Sequence, residues 1–154
     1  MSDLNDFFMG LAEVAVGAAV VGGVAYAVSK DMDNGINQLL KAPEDEAIPA
    51  LSDMIPRMDQ DNWSLFYNNL SARTQSSDYA QGLLVFSVCV RNTMNEIEQL
   101  LSYSVQEAFS IIIDIFPQKE EIEKIAFWGT LNTYAGENVK AKALFSKLQA
   151  TLEG

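Results

Sequence analysis

The sequence predicts an all-α fold, with six to eight helices packed as antiparallel helical hairpins in one compact domain, led by a long apolar N-terminal helix rich in Gly, Ala and Val. Three observations predict it. Apolar residues recur at steps of three and four through most of the chain. Pro and Gly cluster between those periodic segments rather than inside them. The 154 residues, 49% of them hydrophobic, suffice for a single core without disulfides or a structural metal.

Residues 1–29 form the first region. Phe7 to Val28 is apolar except for Glu13 and is long enough to cross a bilayer. Within it Leu4, Phe7, Leu11, Val14, Ala18, Val21, Ala25 and Val28 make a helical seam. Beside that seam Ala15, Ala19, Gly22 and Gly23 form a stripe of small residues for close helix packing. A helix apolar on nearly all sides must be covered by its own domain, by copies of itself or by lipid, and the sequence leaves these three open. Asp3 and Asp6, with no Lys or Arg ahead of the apolar stretch, argue against a secretory signal. A mid-segment Glu13 costs about 2.5 to 3.5 kcal/mol on insertion scales and weakens a transmembrane reading.

Residues 30–154 read as an acidic helical domain. Turn signals fall at Asn34-Gly35, Ala42-Pro43, Arg73 to Ser77, Phe116-Pro117 and Ala135-Gly136. Ile36, Leu39 and Leu40 make a short helical turn, and Ala47, Ile48, Leu51, Met54 and Ile55 a second piece whose first turn carries Glu44, Asp45 and Glu46. Pro56 ends or kinks that piece. Asp59 or Asp61 caps the next helix, where Trp63, Phe66, Tyr67 and Leu70 share a face.

From Asp78 to Phe116 the spacing predicts one long helix, or two joined near Ser102 to Ser104. The β-branched and aromatic runs at 83–90 and 109–116 leave strands as the competing assignment there. Ile122, Ile125, Phe127, Trp128 and Leu131 supply a further face, with Glu120 and Lys124 paired at i,i+4 and Gly136 as the stop. A last helix from about Glu137 carries Val139, Ala143, Leu144, Leu148 and Leu152. In Ala126 to Leu148 the order Trp128, Leu131, Tyr134, Gly136, Ala141, Phe145 is similar to one tetratricopeptide repeat. The connection after Tyr134 is about two residues short and no second copy stands at a 34-residue period. The resemblance therefore implies an αα-hairpin and no family.

Ten Lys and Arg against 21 Asp and Glu give a formal charge of −11, the wrong sign for gripping phosphate backbones, so nucleic acid is not an expected partner. With no His and one cysteine, Cys89 in an apolar run, the side chains that most often serve as general base, zinc ligand or thiolate nucleophile are missing. Ser29 to Ile36 imitates a calcium loop, but starting at Asp31 the Gly comes one position early and position twelve is Ala42, so no Glu closes it. The oxygen cluster Asp59-Gln60-Asp61-Asn62 reads as a helix cap. Asp114, set among isoleucines, is expected either in a structural ion pair, with Arg91 or Arg73 as candidates by charge, or at a boundary position. No Walker loop, dinucleotide fingerprint, nucleophile elbow or Cys-x-x-Cys occurs. No enzyme activity, metal or cofactor is expected.

The expected function is a non-catalytic interaction module of the immunity, inhibitor or adaptor kind. It binds a basic protein partner by charge complementarity, with Trp63, Tyr67, Trp128 and Tyr134 as candidate anchors. The alternative is a membrane-associated or self-assembling protein that uses residues 7–28, as a homo-oligomer or in lipid. A single free thiol fits a reducing, cytoplasmic setting.

Overall fold

The computed structural model describes residues 32–153. Among them are seven α-helices, two one-turn 3-10 helices and no strand. The helices are α1 (Met32–Lys41), α2 (Glu44–Met54), α3 (Gln60–Ser71), α4 (Asp78–Leu100), α5 (Val105–Ile115), α6 (Glu121–Ala135) and α7 (Val139–Glu153). The all-α expectation holds for these residues. The predicted N-terminal helix and its stripe Ala15, Ala19, Gly22 and Gly23 lie outside them. No helix among the described residues is long and apolar enough to cross a membrane.

The runs at 83–90 and 109–116 are helical, because both lie inside amphipathic segments longer than a strand. The predicted long stretch from Asp78 divides at Leu101 to Ser104, where Ser104 Oγ accepts the Glu107 N–H and starts α5. Asn34-Gly35 is not a turn. It lies within α1, and Gly35 is buried beside Ile36 and Leu39, so packing of that face overrides the local turn preference.

The helices fall into two copies of one unit, 61 residues apart and without a gap. Asn34, Ile36, Gln38, Leu39 and Leu40 recur as Asn95, Ile97, Gln99, Leu100 and Leu101. Glu46-Ala47 recurs as Glu107-Ala108, and Asp53 and Pro56 as Asp114 and Pro117. Phe66, Leu70, Ala80 and Leu83 recur as Phe127, Leu131, Ala141 and Leu144. The structure repeats with the sequence. α1 matches the second half of α4, α2 matches α5, α3 matches α6 and the first half of α4 matches α7. In both units a proline opens a 3-10 turn, Ile55–Arg57 and Phe116–Gln118, because its missing N–H ends the α-helical ladder. Ser77 Oγ caps Ala80 N at 3.1 Å, and Asn138 Oδ1 caps Ala141 N at 3.0 Å.

There are consequently two cores rather than the single one expected. Ile36, Leu39, Leu51, Ile55, Phe66, Leu70 and Leu83 fill the first. Their counterparts Ile97, Leu100, Ile112, Phe116, Phe127, Leu131 and Leu144 fill the second. Helix α6 joins them. Phe127 and Leu131 point into the second core, while Ala126, with Ile122 and Ile125 beside it, belongs to the first. Its Gly129 lies so close to α2 that a Cβ there would stand 2.5 Å from Ser52 Oγ. Thr133 Oγ1 donates to the Ser52 carbonyl at 2.8 Å across the same contact.

Candidate partner-binding groove

Helix α3 starts where Asp59 Oδ1 accepts the Asn62 N–H at 2.7 Å, so the predicted oxygen cluster serves as the cap. That start phases Phe66 and Leu70 into the first core and sets Trp63 and Tyr67 at the seam with α4. The Trp63 ring lies 6.1 Å from Phe66 and 5.9 Å from Tyr67, centroid to centroid. Arg91 of α4 holds its guanidinium 5.5 Å over Trp63. Its Nη1 donates to the carbonyls of Ile55 and Met58 at 3.1 and 2.9 Å, where α2 has ended and leaves acceptors open.

A groove of about 320 Å³ follows this seam, lined by Trp63, Ser64, Tyr67 and Asn68 from α3 and by Val88, Arg91 and Asn92 from α4. Tyr67 is 40% exposed, and Val85, one turn before Val88 on α4, is 50% exposed. Leu84 and Val88, at i,i+4, continue the apolar strip and are half-buried. No Lys stands on α3 or α4. Arg73, just beyond α3, is held by Asp33 and Asn37, and Arg91 is committed to the backbone. Asp59, Asp61 and Asp78 are exposed at the helix starts, while the charged residue in the groove lining itself is Arg91.

In the second unit the position of Tyr67 is buried, although the α6–α7 seam carries a groove of its own, about 580 Å³, lined in part by Phe145, Ser146 and Gln149. Trp128 stands where the first unit has Tyr67, and Phe145 where it has Leu84. The two rings meet at 4.5 Å, and Trp128 is 3% exposed. Of the four aromatics expected at an interface, the fold brings Trp63 and Tyr67 together and places Trp128 in the second core. Tyr134 sits apart, its hydroxyl donating to Glu98 Oε1 at 3.1 Å. Burial and the Glu98 carboxylate push its pKa up to about 12. From sequence, Leu84, Val85 and Val88 are not singled out, falling in a run open to helix or strand, and Arg91 is a candidate partner for Asp114. The signal that finds them is comparison of the chain with itself at an offset of 61 residues.

Other sequence expectations resolve differently. Asp114 is exposed and pairs with neither arginine, since Arg73 is turned to Asp33 and Arg91 to carbonyl oxygens. Lys124 lies 5.9 Å over the Phe116 ring, and the ion pair at this end of α6 is Lys119 with Glu96 at 2.8 Å. Met32 to Ile36 is helical, which leaves no calcium loop there. Cys89 is half-buried, and burial together with Glu123 and Glu120 raises its pKa, which disfavours the thiolate. No group of three His, Cys, Asp or Glu that could hold a metal ion occurs among the described residues. No protein-family model, curated protein or solved structure matches the chain.

Proposed function

We propose that the protein is a non-catalytic interaction module that receives a basic protein partner in the α3–α4 groove. One observation carries this reading: Tyr67 stays 40% exposed beside Trp63 in the α3–α4 groove, whereas its counterpart Trp128 is buried against Phe145. A half-exposed Tyr beside a Trp, ringed by polar residues, has the composition of an interface anchor. The formal charge of −11 supplies long-range attraction for a cationic partner and speeds encounter more than it tightens the complex.

The test is capture by the immobilised full chain, with Tyr67→Ser and Val85→Ser as groove variants and Lys142→Ser as a control distant in sequence. The expected result is a protein retained by wild type and control, lost with both groove variants, and weakened by raising salt from 50 to about 300 mM. Retention indifferent to the groove variants would remove the groove from the interface. Retention indifferent to salt would remove the electrostatic part.

A further inference from the structure

Arg57, Arg73 and Arg91 are the three arginines of a chain with 21 acidic residues. Arg57 pairs with Asp53 and Glu137, and Arg73 pairs with Asp33. Arg91 pairs with no carboxylate among the described residues. Its hydrogen bonds among them all leave from Nη1, to the carbonyls of Ile55 and Met58 and to Met94 Sδ. Those acceptors are neutral, so the full positive charge stays, and Nε and Nη2 keep their donors. This guanidinium lines the α3–α4 groove, and the other lining residues are uncharged. A half-buried guanidinium with open donors, in a groove without an acid, suits a carboxylate held by two parallel charge-assisted bonds.

The order of the lining says which carboxylate. Arg91 stands over Trp63 at one end of the groove, against the end of α2. Val88 and Tyr67 lie a turn away from that pair, and the exposed Val85 continues the apolar strip in the same direction. A peptide that lays an apolar side chain on this strip therefore reaches the guanidinium where the groove meets α2. A partner that is basic as a whole still ends in one carboxylate, so this anchor and the long-range pull of the −11 charge do not compete. We infer that the α3–α4 groove takes the C-terminal carboxylate of the protein partner on Arg91, with an apolar last side chain on Tyr67 and Val88. The inference rests on the interaction reading above and adds the chemistry of the anchor.

The probe is N-acetylleucine, an α-carboxylate beside an apolar side chain, titrated into the full chain while backbone amide and Trp indole shifts are followed by NMR. About 0.15 M salt screens the distant acids beyond roughly 8 Å. N-acetylleucinamide keeps the side chain without the charge, and N-acetylglutamate α-amide carries its carboxylate on the side chain instead. N-acetylleucine is expected to move the signals of Trp63, Tyr67, Val88 and Arg91, and to bind roughly tenfold more tightly than either comparison, the margin of a charge-assisted pair. Ser64→Asp sets a carboxylate across the seam from Arg91, leaves the Arg91 bonds to α2 in place, and should abolish the shifts. Ser64→Asn, the same shape without the charge, should keep them.

Equal binding of N-acetylleucine and its amide, or no shifts with either, would overturn the carboxylate anchor while leaving the interaction reading in place. Equal binding of N-acetylglutamate α-amide would overturn the C-terminal assignment. Shifts centred elsewhere, or shifts unchanged by Ser64→Asp, would overturn the site. If these came together with partner capture indifferent to Tyr67→Ser, the groove would fall from both readings.

Discussion

Helices α3 and α6 occupy the same place in the two units, yet one buries two separated residues and the other six in a row. In α6 the run Ala126 to Leu131 is buried without interruption. In α3 the matching run, Leu65 to Leu70, buries only Phe66 and Leu70. The inward residues are the same, Phe66 with Phe127 and Leu70 with Leu131. The outward ones differ: Asp61, Leu65 and Asn68 on α3 become Ile122, Ala126 and Gly129 on α6. Leu65 is 57% exposed and Ala126 fully buried, because α6 has the first unit behind it. A repeat has an inner sequence and an outer one, and the outer positions of α3, Asp61, Leu65 and Asn68, stay exposed.

The sharpest test of that comparison is a matched pair of cavities. Phe66→Ala and Phe127→Ala each remove a fully buried ring, a change that costs about 3–5 kcal/mol. The cost rises as the site loses freedom to collapse. Helix α3 has open space behind it and can move inward, whereas α6 is held from both sides. Phe127→Ala is therefore expected at the upper end and Phe66→Ala at the lower, measured as urea midpoints with m-values compared. Because α6 belongs to both cores, each variant should still unfold in one transition. A two-step curve for Phe66→Ala would mean that the units come apart independently.

Next in size is the small-residue contact behind α6. Gly129→Ala places a methyl group 2.5 Å from Ser52 Oγ and 2.8 Å from Ser52 Cβ, so α2 and α6 must separate. Overpacking of this kind costs about 1–3 kcal/mol. Asn68→Ala, the same position on the exposed side of α3, is expected within about 0.5 kcal/mol of wild type. Pairing Gly129→Ala with Ser52→Gly should recover most of the loss. If Gly129→Ala were neutral, the close approach of α6 to α2 would not be what couples the two units.

These contrasts also show how far the sequence could be read. The helices, the cap at Asp59 or Asp61, the join near Ser102 to Ser104 and the break at Pro56 followed from local chemistry, since each depends on a few neighbouring atoms. Two cores in place of one did not, because the decisive relation joins residues 61 positions apart and no local periodicity carries it. Asn34-Gly35 misled for a related reason: its dipeptide preference is local, but the burial of Gly35 beside Ile36 and Leu39 is tertiary. Of the site, Trp63 and Tyr67 were legible from their shared helix face. Trp128 carried the same signature and lies in the core, because Phe145 covers it from a helix beyond the local pattern.

A smaller effect tests whether the units are equally well started. Ser77 and Asn138 cap the last helix of their respective repeats through equivalent bonds. Ser77→Ala and Asn138→Ala should each cost about 1 kcal/mol in thermal or urea unfolding. A cost confined to one unit would show that only that cap is needed to set its helix.

The last comparison turns on one contact made with different chemistry. In the first unit Arg73 reaches Asn37 and Asp33; in the second, Tyr134 stands at the position of Arg73 and donates to Glu98, at the position of Asn37. Arginine keeps its charge across the accessible pH range, whereas Tyr134 titrates. Its folded pKa is pushed up from 10.0 to about 12, first by burial and then by Glu98, so between those values the folded chain holds a proton that the unfolded chain has released. Stability from this group is complete below pH 10 and is lost as pH rises toward 12. Tyr79, also raised by burial and by Glu44 and Asp45, adds to the slope in the first unit. Urea midpoints between pH 9 and about 11.5 should therefore fall steadily in wild type and less steeply in Tyr134→Phe, which keeps the shares of Tyr79 and of Cys89, whose thiol pKa is also raised by burial. An unchanged slope in Tyr134→Phe would mean that Tyr134 and Glu98 do not hold each other in solution, and that the second unit secures this corner by packing alone.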